Sequence, residues 1–158
     1  MRITFSILLA AALVGGSGCS TKSAYDAFEM DSRSERVLTY LRTATFVREG
    51  ATEAVISTVY LNAVYPKRYK GGEYFYIALY HEDPETALQG LRLNKSAAPE
   101  EVRELEQTDQ LYSIMPARNR WQRSFLVRFA AQPGDKLTLT PENGRIGTGA
   151  LDYRKDDR

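Results

Sequence analysis

The chain has 158 residues, 43% of them apolar and 26% charged, a balance that suits one globular domain with its own core. From Cys19 onward twenty acidic residues are matched by twenty Lys and Arg, so everything after the opening segment is formally neutral. Neutrality removes any global electrostatic case for nucleic acid or an acidic surface as partner, and leaves such binding to local patches.

Met1-Arg2 supplies a short positive start, and Ile3 to Val14 is apolar apart from Thr4 and Ser6. That run is shorter than the roughly 20 apolar residues that span a bilayer. It ends in Gly15-Gly16-Ser17-Gly18, small residues that fit a peptidase cleft. Residues 1–18 therefore read as a secretory signal peptide and not as part of the fold. Cys19 follows at once and is the only cysteine in the chain, so it has no internal disulfide partner. An unpaired cysteine at this place resembles the lipobox of bacterial lipoproteins, with Gly16 standing where that class usually carries Leu. The resemblance covers only the first twenty residues. It implies a diacylglyceryl group on the Cys19 sulfur, cleavage just before it, and acylation of the new amine. Each buried acyl CH₂ contributes about 0.8 kcal/mol, so two or three chains hold a protein permanently where one is marginal. Ser20, in place of the Asp that retains such proteins at the inner membrane, implies the outer membrane, facing the periplasm.

Residues 19–31 form the anchor and a short tether, in which Tyr25, Phe28 and Met30 could dock on the domain that follows. A single β-rich domain is expected over 32–153. It opens with Ser32 and Glu35 at capping-box spacing, which predicts a short helix with Val37, Leu38 and Leu41 on one face; a strand is the competing reading. From Thr43 the pattern is β. Segments 43–48 and 53–64 are rich in Val, Ile, Thr, Tyr and Phe, with a turn at Gly50 between them. Val55, Ser57, Val59 and Leu61 alternate with Ile56, Thr58, Tyr60 and Asn62. Neither set is strongly polar, which predicts a central strand covered on both faces.

Residues 65–73 form a loop punctuated by Pro66 and Gly71-Gly72. The next strand carries Phe75, Ile77 and Leu79 as the core side. Pro84 ends it, and 84–93 predicts one helical turn and then a short strand at Leu91 and Leu93. Residues 96–115 fit either a helix capped near Ser96 or short strands using Val102, Leu105 and Leu111. Trp121, Phe125, Val127 and Phe129 then share one strand face, with Arg123 at the rim. Asn143-Gly144, between two β-prone runs, predicts a type I′ hairpin turn. Residues 154–158 read as a solvated tail. Roughly six to eight short strands at turn-punctuated intervals predict a mainly β fold, an antiparallel sandwich of immunoglobulin-like size with one or two short helices; a small barrel is the alternative.

Residues that could carry chemistry are few. His81 is the only histidine, and neighbouring His81, Glu82 and Asp83 point to opposite sides of a strand, so they predict no metal centre. No serine lies in a nucleophile elbow, and Gly144 to Gly149 sits in a hairpin and not between strand and helix, where a phosphate loop belongs. The expectation is a protein that is not an enzyme and needs no cofactor. Two basic–aromatic stretches stand out as candidate ligand-binding residues: Lys67, Arg68, Tyr69 and Lys70 in one, Arg118, Arg120 and Trp121 in the other. Aromatic faces stack on sugars and Arg forks pair with carboxylate or phosphate. The sequence thus predicts an accessory or assembly lipoprotein of the cell envelope that contacts the bilayer through Cys19 and another envelope protein through its sandwich. The alternative is a binding module for peptidoglycan or lipid headgroups, with no nucleic-acid partner.

Overall fold

The computed structural model describes residues 32–115, 120–143 and 147–155; Cys19 with the signal and tether, Arg118 and Gly144 lie outside them. In chain order the elements are α1 (Ser32–Thr39), β1 (Leu41–Arg48), β2 (Ala51–Tyr60), α2 (Leu61–Val64), β3 (Glu73–Tyr80), α3 (Pro84–Gln89), β4 (Leu91–Leu93), β5 (Glu101–Glu104), a 3₁₀ turn (Gln110–Ser113), β6 (Arg123–Phe129), β7 (Lys136–Asn143), β8 (Gly147–Thr148) and β9 (Leu151–Arg154). No helix among the described residues is long and apolar enough to cross a membrane.

Two antiparallel sheets pack as a β-sandwich. The larger has the order β1-β2-β3-β6-β5, and the smaller is built on β7, flanked by β4 on one side and by β8 and β9 on the other. Because β1 and β5 are both edges, the larger sheet stays open and does not close into a barrel.

Register explains which side chains meet. Ile56 lies opposite Leu79, Thr58 opposite Ile77, and Phe75 opposite Val127, so these residues share the face turned to the smaller sheet. Leu137, Leu139, Leu151 and Tyr153 supply the other half of that core. Tyr153 meets the ring of Phe75 edge-on at 5.4 Å and exchanges a hydrogen bond with Thr58 across the two sheets. The far face of β2 and β3 is covered as well. There Tyr76 donates to or accepts from Ser124 Oγ at 2.8 Å, and Tyr69 packs on Tyr74 at 5.0 Å. Strand β2 is central and buried over Ala54–Tyr60 except for half-buried Val55, as two apolar faces predict.

Several local expectations are corrected. The helix at 32–39 forms and buries Val37, but Leu41 leaves its face to open β1, where pairing with Val59 captures it. The β2 alternation stops at Tyr60, and Leu61 and Val64 bury themselves from one helical turn. Asn62 there ties down the following loop, its Nδ2 donating to Gly72 O at 2.6 Å and its Oδ1 accepting from Tyr74 N–H at 2.7 Å. Residues 96–115 resolve as a strand and a 3₁₀ turn, with no α-helix. The type I′ geometry belongs to Glu49-Gly50, both at positive φ (50° and 82°) with Arg48 opposite Ala51. Asn143 instead pairs with Gly147, so the strand runs through it, and Gly144 lies outside the described residues. Trp121 precedes β6 and is 63% exposed, while Phe125, Val127 and Phe129 are buried as the alternation requires. Arg154 completes β9, and Lys155 is held by an ion pair and is no solvated tail.

Candidate functional site

The smaller sheet is narrower than the larger one, and that mismatch creates a groove. It runs between α3 and β4 on one side and β5 and β6 on the other, with a volume of about 530 Å³. Leu88 and Phe125 form an apolar floor, Pro99 and Val102 line it toward the edge, and Glu85, Arg92, Glu104 and Arg123 supply its charges. The local sequence explains the placement. Pro84 opens α3, Leu88 turns inward from it, and Arg92 caps the end of that helix by donating to Gln89 O at 3.0 Å and Leu91 O at 2.7 Å.

Arg123 organises the mouth. Its Nε and Nη2 donate to the two carboxylate oxygens of Glu104 at 2.7 and 2.5 Å, a bidentate fork, and Nη2 lies 3.9 Å from Glu85. The hydrogen bonds from Arg123 hold the Glu104 carboxyl below its ordinary value, and the same pairing raises Arg123. The two groups are locked on each other as charged partners. This pairing fixes the wall of the groove at its mouth.

Beside the groove, β5 forms the outer edge of the sheet. All four of its residues are exposed, and Val102 is a large apolar side chain at 45% exposure. Leu105 N–H donates to Ser124 O at 2.8 Å, in phase with the pairing of Arg103 to Leu126 and Glu101 to Arg128. In an antiparallel ladder this phase turns the backbone groups of Val102 and Glu104 outward to the free edge. On the far side of the strand, Arg103 donates to Asp109 at 3.0 Å, and the N–H of Leu111 and this contact hold the Asp109 carboxyl low.

The candidate ligand-binding residues from the sequence do not converge. Lys67, Arg68 and Lys70 are exposed, but Tyr69 is only 7% exposed, with its ring against Tyr65 and Tyr74. Tyr69 is a packing residue, because the loop folds back over the sheet and uses it as a lid on Tyr74. Arg120 stacks over the Trp121 ring at 4.4 Å. The first stretch adjoins the Glu73–Phe129 end of the β3–β6 ladder and the second adjoins the Leu79–Arg123 end, six residue steps or about 20 Å apart. Arg118 lies outside the described residues.

His81 lines a separate surface depression of about 560 Å³ with Glu53, Tyr80, Glu82 and Asp83. Its Nδ1 accepts the Asp83 N–H at 2.9 Å, so the ring closes a turn. No group of three His, Cys, Asp or Glu among the described residues is spaced to hold a metal ion. A third depression, of about 440 Å³, is lined by Arg42, Lys136, Asp152 and Arg154. The Arg42 guanidinium there is committed to the carbonyls of Thr39, Leu41 and Asp152.

The groove escaped the sequence reading because it depends on which strands fail to face each other. Its one legible sign was the Glu101-Val102-Arg103-Glu104 run, a lone apolar residue among alternating charges. Comparison with protein-family models, with curated proteins and with solved structures finds no match.

Proposed function

We propose that the chain is a lipid-anchored envelope protein that works without catalysis, as an accessory or assembly component holding a protein segment along β5. The observation that carries this reading is the open β5 edge with exposed Val102 beside an apolar-floored groove. An added strand would take its main-chain hydrogen bonds from the edge and set alternate side chains into the groove. The signal peptide and Cys19 supply the address: the outer membrane, periplasmic face, with acyl chains on Cys19. Radiolabelled palmitate should enter the wild type and not Cys19→Ala, and that variant should leave the membrane fraction; equal labelling of both removes the anchor. For the edge, a photo-reactive side chain placed at Val102 in growing cells should give a discrete protein adduct, and one at the exposed Val47 of β1 should not. Equal adducts at both positions, or none at Val102, would overturn the docking role.

A second reading, binding of peptidoglycan or lipid headgroups, is favoured by one observation, the exposed Arg120–Trp121 stack. A guanidinium on an indole presents a flat surface that accepts a sugar ring beside a cation. Sedimentation with purified peptidoglycan tests it. Retention that is lost in Trp121→Ala supports the reading, and a wild-type protein that stays in the supernatant ends it.

A further inference from the structure

We infer that the partner of the β5 edge is a second copy of this chain, joined through a two-fold axis at Val102 so that the two larger sheets become one. The inference rests on the docking role proposed for that edge and names its occupant. It follows from three properties of β5: the phase of its free backbone groups, the alternation of its side chains, and the sequence of its charges.

When two identical antiparallel edges join and continue a pleated sheet, facing residues must lie on the same face. The axis must therefore pass through a residue position, and β5 offers four. An axis at Glu101, Arg103 or Glu104 sets that charged residue against its own copy. Like charges directly opposite are destabilising. An axis at Val102 sets Val102 against Val102, and it places Glu101 opposite Arg103 twice, once on each side. Glu100 lies outside β5 and out of its register, its N–H donating to Arg128 O at 2.8 Å and its carboxylate pairing with Arg128 at 3.3 Å, while Glu104 is matched within its own chain by Arg123 at 2.5 Å, so neither brings an unmatched charge to the seam. The backbone agrees with the charges. Val102 presents its N–H and C=O to the free edge, so at that axis the two copies exchange a pair of hydrogen bonds directly.

The side chains add to the pairing. Val102, at 45% exposure, gains an apolar neighbour in place of water. Arg103 already spans to Asp109, and its guanidinium has donors left for Glu101 of the second copy. A short, charged edge strand ordinarily protects a sheet against promiscuous pairing. Here the one apolar residue sits between charges of opposite sign, which disfavours three registers and favours the fourth.

Four-residue strands bury far less than the roughly 1,200 Å² of a stable interface, so the pairing depends on both copies being held on one surface. The test therefore uses the full chain in vesicles of phosphatidylethanolamine and phosphatidylglycerol. At the proposed axis the two Val102 Cα atoms stand about 5.5 Å apart, within disulfide reach. Under mild oxidation Val102→Cys should give a covalent dimer well above the parent chain, and Arg103→Cys should not, even though cysteine removes the Arg–Arg repulsion that disfavours its register. In the Val102→Cys background, Glu101→Arg should lower the dimer yield about fivefold, and adding Arg103→Glu should restore it, because the swapped charges again face each other. Thermal melts of each variant confirm a folded domain. Equal cross-linking at 102 and 103, no dimer at 102, or no rescue by the charge swap would overturn the second-copy inference. If the Val102 photo-adduct then joins a different protein, the docking role of the edge survives without self-pairing; if no adduct forms at all, both fall.

Discussion

Glu73 is where the larger sheet meets Lys155, the residue just past β9. It is buried, yet charged, because three donors reach it: Lys155 Nζ at 2.6 Å, Tyr60 OH at 2.6 Å and Gln132 N–H at 2.9 Å. Burial pushes its carboxyl up, but the hydrogen bonds outweigh that and hold it below the ordinary value of 4.5. A carboxyl depressed in the folded state contributes stability that is fully present above its unfolded value and is lost as pH falls through the folded one. Urea melts from about pH 5 down to about pH 3 should therefore show the wild type losing stability more steeply than Glu73→Gln. At neutral pH the same variant should be about 2 kcal/mol less stable, since it leaves Lys155 and Tyr60 facing a weaker acceptor. Tyr69 gives the opposite case. Its hydroxyl is buried without a hydrogen-bond partner, and burial raises its pKa. Tyr69→Phe removes a polar group that costs free energy where it stands, so the domain should become more stable by about 1 kcal/mol. A loss of stability instead would mean that the hydroxyl is doing something for the fold.

Turns decide the elements, and they divide into those the sequence announces and those it conceals. Gly50 was legible as a turn, but the type I′ pair begins at Glu49, a residue that rarely takes positive φ, so only cross-strand register identifies it. Asn143-Gly144 carries the stronger turn signature and yields to one more pair of the β7–β8 ladder. Glu49→Asn should stabilise the β1–β2 hairpin by about 0.5 kcal/mol, because Asn tolerates the left-handed region at less cost. Gly72 is constrained differently. A Cβ there would meet Phe129 O at 2.8 Å, whereas at Gly71 it would meet nothing and only the positive φ of 74° would resist it. Gly72→Ala should therefore cost more than Gly71→Ala, by about 1 kcal/mol or more, because it pushes the start of β3 away from β6. Comparing the two melting curves checks this. The strands themselves were legible wherever β-branched and aromatic residues ran unbroken, as in β2, β3 and β6. Residues 96–115 were not, because β5 is exposed and its Glu-rich composition suits a helix as well as an edge.

Across the whole described molecule, burial falls from the middle strands outward, and local stability is expected to follow it. Strands β2 and β3 are covered on both faces, and β5 has one neighbour and four exposed side chains. The mainly β class was readable from alternation and punctuation. The groove was not, since it arises from a narrow sheet lying over a wide one, and no local pattern encodes sheet width. Amide exchange should show the gradient directly. Thr58 and Ile77, paired in the middle of the β2–β3 ladder, should exchange only through near-global opening. From Val102 in β5 to Leu105 just past it, the protection should alternate along four consecutive residues. Arg103 and Leu105 direct their N–H groups to β6 and should be slow, while Val102 and Glu104 direct theirs to the free edge and should exchange rapidly in dilute, detergent-solubilised protein. Crowding the chain on vesicles should slow Val102 and Glu104 and leave Arg103 and Leu105 unchanged, because pairing of two β5 edges satisfies only the outward groups. Rapid exchange at Val102 that persists at every surface density would mean that the edge stays open to water, and that the neutral, strand-edged face serves no copy of this chain.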